Sequence, residues 1–555
     1  MTQLAIRRWD PETALVASIA SVISLASFFF YFHRGELLLY GDAVAHINIA
    51  RRVFDSRTPG LLQLGTVWLP LPHLAMIPFL VSDRLWRTGV GGSIPSMIAY
   101  VFGAVGILRL VRGIFRASGG PHNGARFAAW CAVLIYAANP NLIYLQATAM
   151  TEPIYLALFI WAVVFFADFV RILTSVDQTE KEPTSSALNK CGLCVAAACL
   201  TRYDGWFLAG VLCIAAAAVL THYKRAFPNW RRTLAILIFL AIAAPVLWLA
   251  YNAVIYRNPL EFANGPYSAR AIEQKTSTPG TPPHPGAGNA LIAASYLLKS
   301  AELNVAQGNW GRLWLLFTLV GTAFACSIGS PARFWRCMPL LLLWVPLLFY
   351  MFSIAYGGVP IFLPVWWPFS HYNVRYGLEL LPAFAVSVPL AAFFLVQLAR
   401  NRNVQFAGAI MICAGGVFAS YASIWRDPIC FREAWVNSRT RLALERELAA
   451  YLKALPPSST LLMYLGDHVG ALQDAGIPLR RVINEGNHRV WKQPADPEGL
   501  WERALATPER YADFVIAFEG DPVSMQVNKT KIASLAVIHV SGQPQATIYR
   551  AEHQR

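Results

Sequence analysis

Charged residues are scarce in this chain, at 14% of 555, where a soluble globular domain carries about 25%. With 56% hydrophobic residues and a mean hydropathy of +0.43, that shortfall excludes an ordinary soluble enzyme. Missing too are a Walker loop, a dinucleotide fingerprint at a strand–helix junction, an HExxH and any DxD near Asp42. The usual sequence marks of nucleotide and paired-carboxylate metal sites are therefore lacking. A disulfide framework is not expected, because most of the nine cysteines lie inside apolar runs and just Cys430 falls in the polar tail. The CGLC at residues 191 to 194 sits in an Ala-rich apolar run and reads as helix packing, not as a redox pair.

What is present is a succession of apolar runs, most of them about 17 to 25 residues long as a membrane crossing requires, with the fifth and sixth short. Eleven are expected, near residues 13–32, 95–112, 126–146, 152–173, 186–201, 205–222, 233–252, 311–329, 337–355, 375–398 and 405–424. The first follows Arg7 and Arg8, lacks a small-residue cleavage pattern and reads as a retained span. The formal charge of +15 does not point to nucleic acid, because the basic residues sit in short loops between spans. With the N-terminus in the cytoplasm, Arg112, Arg116, Arg126, Lys181, Lys190, Lys224, Arg225, Arg231, Arg232, Arg333, Arg336, Arg400 and Arg402 all fall on the inner side. That alternation makes residues 71–81, short and proline-rich, a juxtamembrane segment. The expected fold class is a polytopic α-helical membrane protein of about 11 spans plus juxtamembrane helices, over residues 1–425. A soluble α/β domain follows over 426–555, with strand-like runs TLLMYL, DFVIAF, SLAVIHV and ATIYR.

The same orientation gathers Asp42, His46, Glu152, Arg202, Asp204, His371 and Arg375 on the outer face, and ionisable residues at membrane depth usually mark one functional site. In YGDAVAHINIARRVF (40–54), Asp42 and His46 lie about 40° apart on a helical wheel, beside an apolar stripe. Asp42 is either a helix cap or a catalytic group, and His46 either an interfacial histidine or its neighbour. Glu152 in TEP is equally consistent with a helix opening and with a functional acid. Arg202 and Asp204 in TRYDG break an apolar stretch and either pair with each other or line a cavity. Arg375, flanked by His371, Tyr372 and Tyr376 in SHYNVRYG, is placed to hold a phosphate at headgroup depth or to anchor the interface. Residues 258–289, rich in Pro, Gly and Thr, read as a lid over an acceptor cleft or as a disordered loop. Trp366 and Trp367 read as a membrane belt or a sugar-stacking surface.

Together GDAVAH, TEP, TRYDG and RYGLELLP, with an N-terminal span and a polar tail, resemble the GT-C membrane glycosyltransferases. Within them the chain is most similar to bacterial relatives of the dolichyl-phosphate-mannose protein mannosyltransferases and aminoarabinose transferases, the Rgt-like proteins. The resemblance implies an inverting hexosyl- or pentosyltransferase. Its donor is a sugar on a polyprenyl phosphate, and its acceptor is an envelope glycan, lipid or protein. It assigns Asp42 and Glu152 as catalytic acids and Arg375 as the contact to the lipid phosphate. His46, Arg202, Asp204, His371, Tyr372 and Tyr376 are the other expected substrate-binding residues. No cofactor is expected and a divalent metal is not indicated. The expected location is the inner membrane, with the site and the C-terminal domain periplasmic. The rival expectation is a transporter or flippase of envelope precursors, for which broken helices and buried charges are equally natural.

Overall fold

The computed structural model describes residues 10–117, 122–174, 181–276, 280, 282–327, 331–396, 402–466, 468–487, 499–527 and 532–551. Arg7, Arg8, Arg400 and parts of the 258–289 segment lie outside these residues. Pro11 and Glu12 open α1 (Pro11–His33), where a missing N–H and a negative charge both suit a helix start. In order follow α2 (Gly41–Arg52), α3 (Leu71–Leu80), α4 (Asp83–Arg87), α5 (Val90–Ala117), α6 (His122–Ala137), α7 (Pro140–Gln146), α8 (Glu152–Leu173), α9 (Lys181–Cys199), α10 (Asp204–His222) and α11 (Trp230–Tyr256). The described part of each of the eleven expected segments falls on a helix or on helices in series. Among the described residues, eight helices are long and apolar enough to cross a membrane, or nine if α6 and α7, bent by 61°, are one span. The remaining two expected segments, α9 and Asn309–Ser327, lie outside that count, and α3 is a short apolar helix of ten residues. Residues 258–289 contain two short helices, Glu261–Asn264 and Ala269–Thr276, with Glu273 bonded to His284 at 3.0 Å.

The breaks between helices have local causes. Asn139 ends the bend after α6 by accepting from Asn141 N and Leu142 N at 3.0 Å, and Pro140 takes the position that needs no N–H. Where α9 gives way to α10, Leu200 O accepts from Leu71 N and Cys199 O from Trp206 Nε1, both at 2.9 Å. The interrupted backbone is thus satisfied within the protein, as broken helices in a membrane require. Gly205 is needed there, since a Cβ would lie 2.6 Å from the Ala198 carbonyl.

Polar contacts mark both ends of the bundle. At one end Arg112 pairs with Asp10 at 2.5 Å and with Glu12, Arg126 pairs with Glu12, and Arg336 donates to Thr174 O at 2.8 Å. At the other end lie α2, the α7–α8 junction, the α9–α10 break and a 3-10 turn over Val374–Leu380 that leads into the helix Leu381–Val396. This turn packs tightly on the helix Ala290–Val305: Ser300 Oγ and Asn304 Nδ2 donate to Val374 O at 2.6 and 2.8 Å. A Cβ on Gly377 would lie 2.4 Å from the Ser300–Ala301 backbone, and backbone cannot move aside as a side chain can. Gly377→Ala is therefore expected to displace the turn and cost about 3 kcal/mol, read as a lowered unfolding midpoint in detergent.

The tail starts with a long helix, Ile429–Lys453, and ends in a five-stranded mixed sheet of order β2-β1-β3-β5-β4. Its strands are β1 (Leu461–Met463), β2 (Val482–Ile483), β3 (Phe514–Phe518), β4 (Ala533–Ile538) and β5 (Ala546–Arg550). Strands β2, β1 and β3 pair in parallel, and β5 runs antiparallel to β3 and β4. The tail grips α2 directly. Asn48 Nδ2 donates to Gln473 Oε1 at 2.8 Å, while Asp55, buried and paired with Arg51, accepts from Leu479 N and Arg480.

Candidate functional site

Arg375, carried on the 3-10 turn, is the centre of a buried ionic cluster. Its Nη2 bonds Asp42 Oδ2 at 2.5 Å, its Nε bonds Glu152 Oε1 at 3.0 Å and its Nη1 bonds Glu433 Oε1 at 2.9 Å. The guanidinium lies 5.1 Å from the ring centres of both Tyr40 and Tyr376, a placement that favours a cation further. Four separated stretches of sequence therefore meet at one side chain. The chain turns inward here because Asn373 takes a left-handed φ of +55°, and Glu433 accepts from the N–H groups of Asn373 and Val374 at 3.0 and 2.8 Å.

Arg202 extends the cluster. It reaches Glu152 Oε1 at 3.1 Å, Asp204 Oδ2 at 3.2 Å, Glu379 Oε1 at 3.2 Å and the Tyr350 hydroxyl at 2.6 Å. Of the two readings of TRYDG, the Arg202–Asp204 pairing is present, and the same guanidinium also bonds Glu152, Glu379 and Tyr350. Glu152 opens α8 and also bridges the two arginines. Asp42 is not a cap: Tyr40 holds the cap position of α2, and Asp42 lies in the first turn.

Exposure separates the acids. Glu152, Asp204, Glu379 and Glu433 side chains are at most 1% exposed, whereas that of Asp42 is 38% exposed. Asp42 is therefore the exposed carboxylate of this cluster; Glu152 and Glu433 hold the Arg375 that pairs with it, while Asp204 and Glu379 hold Arg202. The five carboxylates face two guanidiniums and converge on those cations, not on a common empty point. Among the described residues no group of three or more His, Cys, Asp or Glu side chains is arranged to hold a metal ion.

His46 borders the cluster without bonding to it. Its ring lies 4.8 Å from Trp68, and its Nδ1 is 2.9 Å from Nε2 of His73 on α3. Burial, reinforced by Arg375 and Arg202, pushes the His46 imidazole down to about 3, so it is neutral at physiological pH. An imidazole neutral in the fold but protonated at its usual 6.5 in the unfolded chain takes up its proton on unfolding. Its stabilising contribution is complete above about pH 6.5 and is lost as pH falls towards 3. The protein is expected to lose about 2 kcal/mol from this source between pH 7.5 and 5, and His46→Gln should remove that part of the pH dependence in thermal unfolding.

His371 and Tyr372 are not drawn into the cluster. The left-handed turn at Asn373 sends them to the other side, where Tyr372 pairs with Phe362 and the His371 carbonyl accepts from Asn437 Nδ2 at 2.9 Å. Tyr376, by contrast, is at the centre, stacked on Tyr350 at 4.9 Å. Glu433, Glu379, Tyr350, Tyr40 and His73 are site residues that the sequence did not reveal. Of these, Glu379 stands in the quoted RYGLELLP motif, and its spacing of four from Arg375 was the available signal.

Comparison of the sequence with known families and with curated proteins gives no match. Comparison with solved structures does. ArnT from Cupriavidus metallidurans bound to undecaprenyl phosphate superposes with a TM-score of 0.55 at 14% identity, covering 97% of either chain. Its apo state gives a TM-score of 0.51 at 12% identity, again over 97% of both chains. The protein has the GT-C fold. In that fold the described cluster, assembled from the first loop, the α8 start, the α9–α10 break and the 3-10 turn, occupies one end of the membrane bundle beside the tail. The GT-C likeness extends through the tail, since coverage is not confined to the apolar helices.

Proposed function

We propose that the protein is an inverting glycosyltransferase that moves a hexose or pentose from a polyprenyl-phosphate donor to an envelope acceptor outside the inner membrane. The observation that carries this reading is Asp42, a half-exposed carboxylate aimed by a buried arginine. A phosphate leaves readily, so the reaction needs a base for the acceptor hydroxyl and no acid on the glycosidic oxygen. Asp42 takes the hydroxyl proton, the acceptor oxygen bonds to the anomeric carbon, and the carbon–oxygen bond to phosphate breaks with its electron pair going to the polyprenyl phosphate. Arg375 keeps one N–H on each η nitrogen beyond its three carboxylate bonds, and these are its means of contacting the phosphate. Neutral His46 beside Trp68 suits a hydroxyl better than an anion.

The fold of a protein solved with undecaprenyl phosphate supports a lipid-phosphate donor. Grouping of Arg112, Arg126 and Arg336 at the end opposite Asp42 supports a cytoplasmic N-terminus and a periplasmic site and tail. The test uses purified protein in liposomes with a radiolabelled polyprenyl-phosphate sugar and candidate acceptors. Labelled acceptor and free polyprenyl phosphate should form together. Movement of intact donor across the bilayer without transfer would instead establish a transporter.

A further inference from the structure

Arg52, in the last turn of α2, differs from every arginine of the cluster. Its neighbour Arg51 is saturated by Asp55 at 2.8 Å, Asp83 at 2.5 Å and the Leu80 carbonyl at 2.6 Å. Arg52 is half-buried, and its Nε is shut off from water without any hydrogen-bond partner. Among the described residues no carboxylate or carbonyl takes a bond from it. Leaving buried guanidinium N–H groups unmade is costly, so an unused cation of this kind suits a ligand that arrives with its own negative charge.

A second unused polar atom stands beside it. Gln63 is 2% exposed, donates through Nε2 to the Thr58 and Gly486 carbonyls at 2.9 Å, and keeps Oε1 buried and unpartnered. Gln63 Oε1, Asn484 Oδ1 and Arg52 Nη1 crowd against Gly486, where an added Cβ would lie 2.9, 2.9 and 3.3 Å from them, and Asn484 Oδ1 accepts from the Gly486 N–H at 2.9 Å. Amide oxygens accept from hydroxyls and a guanidinium donates to anions, so this set of side chains matches a hydroxylated group bearing a negative charge. The loop's own acid does not fill the role, because Glu485 is held by the N–H groups of Leu465 and Gly466 at 2.9 and 3.2 Å. These side chains also have a defined position relative to the reaction. Arg52 is ten residues beyond Asp42 on one helix, about 15 Å along its axis, and the His46–His73 pair lies on the way.

We propose that Arg52, Gln63 and Asn484 form an acceptor subsite for an anionic sugar unit, phosphorylated or carboxylated, about 15 Å from the hydroxyl that Asp42 deprotonates. The assignment of this ligand to the acceptor rests on the glycosyltransferase reading; the binding of an anionic sugar does not. An acceptor anchored so far from the attacked hydroxyl spans more than one sugar ring, and its charge sets the register in which that hydroxyl meets Asp42.

The test measures equilibrium binding of glucose 6-phosphate, glucuronate and glucose to the full-length protein in nanodiscs, for wild type, Arg52→Gln, Arg52→Lys and Asp42→Asn. The two anionic sugars should bind and glucose should bind at least tenfold more weakly; the tighter of the two names the anion. Arg52→Gln should abolish that preference, Arg52→Lys should keep part of it, and Asp42→Asn should leave it intact. The thermal midpoint of Arg52→Gln should stay at the wild-type value, because Arg52 makes no hydrogen bond among the described residues; a lowered midpoint with unchanged sugar binding would show a structural arginine and overturn the proposal. Equal binding of glucose and the anionic sugars overturns it as well. If the subsite binds as described while no sugar transfer is found with any donor, the glycosyltransferase reading fails and the anionic subsite stands.

Discussion

Asp42→Asn is expected to leave the protein folded and to lower sugar transfer by about 10²–10⁴-fold, the range a positioned general base contributes. Asparagine has the shape of aspartate and still offers an oxygen to Arg375 Nη2, so the 2.5 Å contact to the 3-10 turn has a replacement. What it lacks is basicity. Because the Asp42 side chain is 38% exposed, losing its charge strands no deeply buried partner: Arg375 keeps Glu152 and Glu433. The variant should therefore show a wild-type unfolding midpoint and wild-type donor binding with a depressed turnover number. A rate within a few-fold of wild type would remove Asp42 from the chemistry.

The opposite pattern is expected for Arg375→Ala. This change takes the shared cation from three carboxylates, two of them at most 1% exposed, and breaking a buried ion pair in this way costs about 3–5 kcal/mol. Unfolding in detergent should begin well below the wild-type temperature, and transfer should be lost with it. Arg375→Lys separates the two effects. A lysine keeps the charge but cannot present three N–H groups in a plane to Asp42, Glu152 and Glu433 at once, so stability should recover in part while transfer does not. Adding Glu433→Gln to Arg375→Ala removes one stranded carboxylate, and the double variant should be more stable than additivity predicts, with a coupling of about 0.5–3 kcal/mol. Additive effects would show that Glu433 and Arg375 do not act as a unit.

The residues that could be read from the sequence were those whose presence is expensive. Asp42, Glu152, Arg202, Asp204 and Arg375 interrupt or border apolar runs, where an ionisable group is rarely kept without a use. Most of the long apolar segments were legible for the same reason, eight of the described helices being long and apolar enough to cross, or nine with the bent pair. Glu433 was hidden because it stands in a helix already rich in charge, ICFREAWVNSRTRLALERELAAYLK, where one acid among many carries no signal. Its role depends on the docking of that helix, through the Cys430 N–H to Asn141 Oδ1 at 2.9 Å and the Tyr40 hydroxyl to the Cys430 carbonyl at 2.8 Å. Tyr350 was hidden within LLFYMF, where an aromatic is ordinary span composition. His371 and Tyr372 look like site residues by proximity to Arg375, but a left-handed residue between them and the arginine reverses their direction. Sequence spacing cannot show such a turn when the residue making it is asparagine and not glycine.

The central claim is that one accessible carboxylate acts as a base while the other acids of the cluster stay buried around the arginines. Its most direct test is the anomeric configuration of the product, determined by NMR after transfer from a polyprenyl-phosphate sugar of known configuration. A single base acting on the acceptor, with no second carboxylate free to attack the sugar, predicts inversion. Retention of configuration would require a covalent glycosyl-enzyme on a nucleophile that this arrangement does not provide, and would contradict the account.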